Sequence, residues 1–136
     1  MRRTLLALAV VPVLLLSAVP ASAASWTFAT YDCAHVKTEP RQILFACGDG
    51  AFYSDHLHWQ KWHRHRAVGE GEFHQNDCRP SCAQGSFHER DGKIVLHGRK
   101  WCAHEQKYVF AHARIRYEPP LLGNRRVHFG LACPVH

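Results

Sequence analysis

Apolar and polar residues alternate with period two through much of the chain beyond residue 40, and no segment of useful length follows the helical period. The run Ile43-Leu44-Phe45-Ala46-Cys47 is continuously apolar and short, which predicts a strand covered on both sides. Gly48-Asp49-Gly50 closes it, with Asp49-Gly50 supplying the φ > 0 positions of a tight hairpin turn. The chain then reverses into a strand over residues 51–59, which puts Tyr53, Leu57 and Trp59 on one face and His56 and His58 on the other. Gln60-Lys61, read as a two-residue loop, returns it through an extended stretch from Trp62 to Phe73, where Gly69 and Gly71 mark a bulge or an edge.

Asn76 to Gly85 reads as a loop around Cys78 and Cys82. Ser86 to Arg90 and Lys93 to His97 are extended, with Asp91-Gly92 between them as a hairpin turn or a kink. Tyr108 to Tyr117 alternates most cleanly: Val109, Ala111, Ala113, Ile115 and Tyr117 face inward, His112, Arg114 and Arg116 outward, and Pro119-Pro120 ends the strand. After Gly123-Asn124, Val127, Phe129 and Leu131 share a face with Cys133. Six to seven short strands at this spacing predict an all-β fold, a disulfide-stapled antiparallel β-sandwich or small barrel. Residues 41–136 form this single domain, preceded by an N-terminal arm at 24–40 that Trp26, Phe28 and Tyr31 dock and Cys33 staples.

The first 23 residues change the picture of where this domain works. Arg2 and Arg3, the apolar run Thr4 to Val19 and the Ala21-Ser22-Ala23 site have the layout of a secretory signal peptide. Pro12, Pro20 and the small-residue site disfavour an uncleaved anchor, and no later stretch approaches the ~20 apolar residues that span a bilayer. The expected location is therefore secreted and extracellular, with no transmembrane segment after cleavage. All six cysteines, Cys33, Cys47, Cys78, Cys82, Cys102 and Cys133, follow the leader. An even count in a small exported chain predicts three disulfides. Six cysteines allow 15 connectivities, and pairing of sequence neighbours, Cys33 with Cys47, Cys78 with Cys82 and Cys102 with Cys133, is the expectation.

The formal net charge is +6, with 12 histidines counted neutral, so acidification adds more charge than the lysines and arginines carry in excess. A nucleic-acid partner is disfavoured, because no basic run is interleaved with aromatics. The outward row of His112, Arg114 and Arg116, joined by Arg125, Arg126 and His128, is the best anion-facing patch; the plainer reading is a solvated sheet face.

The sharpest chemical expectation depends on the Gln60-Lys61 loop. It sets Trp59 opposite Trp62, His58 opposite His63 and His56 opposite His65, so that His56, His58, His63 and His65 form a candidate Zn²⁺ or Cu²⁺ site on one face. Trp59 and Trp62 either pack onto the core or offer an exposed ring as a stacking platform for a sugar-like ligand. No catalytic constellation is visible: His88-Glu89 and His104-Glu105 are sequence neighbours, which a strand points to opposite faces.

Ile43 to Gly50, Trp59-x-x-Trp62, Gly69-x-Gly71 and Asn76-Asp77-Cys78-x-Pro80-x-Cys82-Ala83-x-Gly85-x-Phe87 together resemble a group of small secreted actinobacterial proteins of unknown function. The resemblance covers about Ile43 to Cys102 and the Tyr108 to Tyr117 strand. It implies export and a non-enzymatic, disulfide-stapled domain, transfers no catalytic residue, and implies a continuous strand where Asp91-Gly92 lies. The histidines around Trp59 and Trp62 depart from those proteins, which tend to carry small polar residues there. The predicted function is a secreted, non-enzymatic binding or surface-associated module for an extracellular ligand or cell-surface component, with no cofactor. The alternative is a histidine-cluster protein binding Zn or Cu, and a third reading is a small secreted hydrolase or nuclease.

Overall fold

A computed structural model describes residues 26–134; the predicted leader, Met1 to Ala23, lies outside them. Eight strands follow in order: β1 (Thr27–Thr30), β2 (Val36–Lys37), β3 (Ile43–Leu44), β4 (Phe52–His63), β5 (Arg66–Asn76), β6 (Phe87–Cys102), β7 (Lys107–Leu121) and β8 (Asn124–Gly130). They form one sheet in the order β2-β1-β7-β6-β5-β4-β3, with β8 also pairing β7. Only the β1–β7 pair is parallel. Its Tyr108 and Val109 positions leave residues 112–121 of β7 free to pair with β8.

The sheet curls into a half-barrel because its two ends meet. Leu44 N–H, on β3, donates to Tyr31 O just past β1 (2.7 Å), and the Trp62 indole N–H, on β4, donates to Thr27 O on β1 (3.0 Å). Inside the curl Phe73, Ile94, Leu96, Phe110, Ile115 and Tyr117 are fully buried. Phe129 on β8 stacks on Phe52 (4.7 Å) and meets Phe45 (5.0 Å), closing the open side. Three disulfides fix the margins, Cys33–Cys47, Cys78–Cys82 and Cys102–Cys133, the neighbour pairing expected from the sequence. The N-terminal arm is part of the sheet: Thr27 and Ala29 carry it inward, whereas Trp26 is 62 % exposed.

The central hairpin turns at Arg64-His65, not at Gln60-Lys61. Gln-Lys offers no residue suited to φ > 0, and β4 continues to His63 by absorbing two bulges, between Asp55 and His58 and between Trp59 and Lys61. In the first bulge His56 and Leu57 together oppose Gly71. His56 takes the left-handed conformation (φ 49°) and Leu57 turns inward over Gly71, where a Cβ would lie 2.8 Å from the Leu57 Cδ2 and from the Asp55 carbonyl oxygen. The extra residue reverses the alternation, so Phe52 and Ser54 face inward before it and Leu57 after it. Tyr53 therefore does not share a face with Leu57 and Trp59, as the sequence pattern predicts, but lies on the outer face.

Three other expectations change. β6 runs unbroken through Asp91 and Gly92, which pair with Glu72 and Gly71; glycine stands there for space, since a Cβ would meet the Arg116 carbonyl oxygen, Tyr117 and Phe73 at 3.0–3.1 Å. On β7 the phase shifts at Ala111, so Phe110 is fully buried and meets Trp62 edge-on (5.5 Å, 81°). Pro119-Pro120 interrupts the β7–β8 pairing between Arg116 and Leu121 without ending the strand.

Trp62 is 8 % exposed; its indole N–H donates to Thr27 O (3.0 Å), and its ring meets the edge of Trp59 (4.7 Å, 88°). It ties β1 to β4 as well as filling the core. Trp62→Ala should destabilise the fold by about 3–5 kcal/mol in denaturant unfolding, whereas Lys61→Ala, on an exposed side chain, should cost less than about 0.5 kcal/mol.

In the loop between β5 and β6, Asp77 Oδ1 accepts from Arg79 and Ser86 N–H (3.1 Å each), and Oδ2 lies 3.2 Å from His88 Nε2. The Ser86 amide, then the His88 ring and the Arg79 amide, hold its carboxyl below the usual value. A carboxyl lowered on folding contributes stability above the unfolded value, near pH 4, and loses it as pH falls through the lower folded one. The stability difference between wild type and Asp77→Asn should be full at neutral pH and close in acid, as read by unfolding curves at several pH values.

Candidate metal centre

On the outer face of β4, β5 and β6, register sets Tyr53 beside His74 and His74 beside Glu89. The next rung sets Asp55 beside Glu72 and Glu72 beside Asp91. Three carboxylates on one rung repel one another across adjacent strands. The nitrogen ligands that answer them come from two sources. His74 points at the rung from the neighbouring position, and the bulge swings His56 out of the strand alternation until its Nδ1 is 3.1 Å from Asp55 Oδ1.

His74 is the centre of the group and is 9 % exposed. Its Nε2 lies 3.1 Å from both Asp55 Oδ1 and Glu72 Oε1, and its Nδ1 is 3.9 Å from Glu89 Oε2. Tyr53 stacks on the ring nearly in parallel (4.5 Å, 9°) and is braced by the edge of Phe87 (5.7 Å). This packing fixes the imidazole plane. Burial, and then the charges of Asp55, Glu72 and Glu89, push the Tyr53 phenol above its ordinary value.

Two ligand sets result, Asp55–His56–Glu72 and Glu72–His74–Glu89, and within each the ligand atoms lie within 4.8 Å of one another. Glu72 belongs to both. Metal–ligand bonds of ~2.0–2.2 Å in a tetrahedral site place ligand atoms roughly 3.4 Å apart. The 3.1 Å contacts at His74 Nε2 already match that spacing, while Glu89 Oε2 stands 3.9 Å from the ring's other nitrogen. The site opens onto a groove of about 610 Å³ lined in part by His56, His58, Glu70, Asp91, Lys93 and Arg116, so a hydrated ion has access.

The four histidines grouped by the sequence pattern do not converge. His58 opposes Glu70 and lines the groove, His63 opposes Arg66 at the end of the hairpin, and His65 sits in the turn. Only His56 joins the cluster, with carboxylates and not with His65. Trp62 is a core residue rather than a stacking platform, and Trp59 is half-buried, donating its indole N–H to Pro40 O (2.8 Å). His88 and Glu89 diverge, towards Asp77 and His74 respectively. Of the anion-facing residues, His112, Arg114, Arg116, Arg126 and His128 share the outer face, while Arg125 alternates to the other side of β8.

Asp55, Glu72, His74 and Glu89 escape the sequence pattern because each sits on a different rung or strand. Glu72-x-His74 is the one local signal, two polar residues on one strand face, and it gains meaning only once the hairpin turn is placed at Arg64-His65. No protein-family model, curated protein or solved structure matches the chain. The electrostatic account of the cluster is checked by Tyr53. The double variant Asp55→Asn/Glu89→Gln should lower the Tyr53 phenol towards the ordinary value near 10 in an ultraviolet absorbance titration, and an unchanged midpoint would remove those charges as its cause.

Proposed function

We propose that this protein is a secreted, non-enzymatic metal-binding module that holds one Zn²⁺ or Cu²⁺ ion through Glu72, His74 and neighbouring carboxylates. The observation that carries this reading is the position of His74 Nε2, 3.1 Å from two carboxylate oxygens on different strands. One imidazole nitrogen has at most one proton, so it cannot donate fully to both. A cation beside Glu72 takes one imidazole nitrogen together with carboxylate oxygens of either ligand set and offsets the repulsion along the Asp55–Glu72–Asp91 rung.

Imidazole nitrogen with carboxylate oxygen is a donor set suited to zinc and copper. Tyr53 stacking orients the ring, the role that outer contacts play around metal-ligating histidines. His56, held by the bulge with a left-handed backbone of the kind that gathers at functional sites, supplies a second nitrogen within reach of Glu72. The leader supports export, and the disulfides suit an oxidising exterior.

Calorimetric titration of the untagged chain with Zn²⁺ and with Cu²⁺ should give one ion per chain for at least one of the metals, with affinity falling on acidification as protons compete for the imidazoles. Glu72→Gln should weaken binding at least ~100-fold and His74→Gln at least ~10-fold, since each removes a ligand. His63→Gln/His65→Gln should bind as wild type. Equal affinity in Glu72→Gln and wild type overturns the proposal, as does loss of binding confined to the His63/His65 variant.

A further inference from the structure

Along the outer face the charge changes sign within a few rungs. Arg66 on β5 opposes His97 on β6, and His97 opposes His112 on β7. On the next rung Arg114 opposes His128 on β8, and on the one after that Arg116 opposes Arg126. Strands ~4.8 Å apart, and ~6.8 Å between same-face residues of one strand, make this a grid of cationic and titratable side chains.

The grid is built into the backbone. The His97 and His112 rings stack (5.3 Å, 30°), and a Cβ at Gly98, where φ is +66°, would come within 2.8 Å of the His112 ring. Glycine at that position lets His112 lean against His97. Among the described residues no carboxylate lies within ion-pair distance of Arg66, Arg114 or Arg126.

We infer that the Arg66–His97–His112 and Arg114–His128 rungs, with Arg126, form a docking surface for a linear phosphate polymer that carries no bases, and that mild acid strengthens the attachment. Guanidinium forks suit phosphate oxygens, and rows of cations on a ladder suit a repeating anion. Two other anionic partners match less well. A bilayer meets a surface that curves away from it, and the exposed large apolar residues Trp26, Phe87, Trp101 and Leu122 lie off these rungs. A nucleic acid finds no tryptophan, tyrosine or phenylalanine ring on the rungs, only imidazoles, of which His97 and His112 already stack on each other. Glu70, which shares the rung of Lys93, Arg116 and Arg126, and the acidic Asp55–Glu72–Asp91 rung beyond it set the limit of the surface by repelling the same polymer.

The pH dependence comes from the imidazoles. His97 faces Arg66 from β5, His112 and Arg114 from β7 and His128 from β8. Burial, then Arg114, His112, His128 and Arg66, hold its ring below the ordinary histidine value. It is neutral at pH 7 and gains its proton only in acid. A bound polyanion favours that proton, and by linkage the proton favours the polyanion.

The test is calorimetric titration of the full secreted chain with long-chain inorganic polyphosphate, in chelator so that the metal centre plays no part. Binding at pH 5.5 should be at least ~10-fold tighter than at pH 7.5, at fixed salt. Arg114→Gln/Arg126→Gln should weaken it at least ~10-fold at both pH values. His97→Gln/His112→Gln should leave binding at pH 7.5 within ~3-fold of wild type and reduce the pH dependence to less than ~3-fold. Should the histidine pair fail to fold, the His97 resonance of the wild type gives the same information, titrating at higher pH with polyphosphate present. The inference is overturned by pH-independent binding, by an arginine variant that binds like wild type, or by tighter binding to phosphatidylglycerol vesicles or to single-stranded DNA than to polyphosphate.

Discussion

One extra residue in β4 organises both faces of this sheet. Where His56 and Leu57 together oppose Gly71, the strand changes which side chains point inward. Leu57 enters the core at a position that only glycine opposite can tolerate, because the Leu57 side chain and the Asp55 carbonyl oxygen occupy the space a Cβ would need. The same step leaves Tyr53 and Asp55 outside, beside His74 and Glu72, and turns His56 towards them. A left-handed backbone at a non-glycine residue costs about 1–2 kcal/mol, which the burial of Leu57, worth about 1.5–3 kcal/mol, offsets. Packing and the candidate site therefore share a cause.

The curl depends on closing contacts at the ends of the sheet. β1 is parallel to β7 on one side and reaches β3 through Tyr31 and Leu44 on the other, and Trp62 bonds Thr27 from β4. These contacts hold few residues each, so the disulfides matter most at the margins they span. Cys33–Cys47 ties the stretch after β1 to the loop after β3, and Cys102–Cys133 ties the end of β6 to the tail after β8. A cross-link restricts the unfolded chain more than it adds native contacts, which suits a core of this modest size.

Outside, the sheet separates its charges. Carboxylates collect on the rung through Asp55, Glu72 and Asp91 and arginines and histidines on the rungs through Arg114 and His97, with Glu70, Lys93, Arg116 and Arg126 on the mixed rung between. Like charges on neighbouring strands oppose folding in both halves. A metal cation at Glu72 and His74 and a polyanion at the arginine rungs each relieve one half, so the two proposed ligands answer one electrostatic feature of the surface.

The all-β class, a reversal with positive φ at Gly50, though not at Asp49 and not as a two-residue turn, and the buried phase of Ala113, Ile115 and Tyr117 were legible in the sequence because they depend on residues close along the chain. The neighbour cysteine pairing also followed sequence proximity, though only the fold selected it from the alternatives. What the sequence pattern missed depends on register. Asp91-Gly92 carries a turn signature, yet it pairs with β5 and β7 as part of a strand, and its glycine answers the space taken by Tyr117 and Phe73. Phe110 reads as outward by alternation and is buried by a phase shift. The histidines of β4 read as a cluster under one turn position and separate under another. Local pattern determines the all-β class and the cysteine count. Only the tertiary structure decides that Asp55, Glu72, His74 and Glu89 meet, because cross-strand neighbours are set by bulge and turn positions, and one inserted residue moves every later side chain to the opposite face.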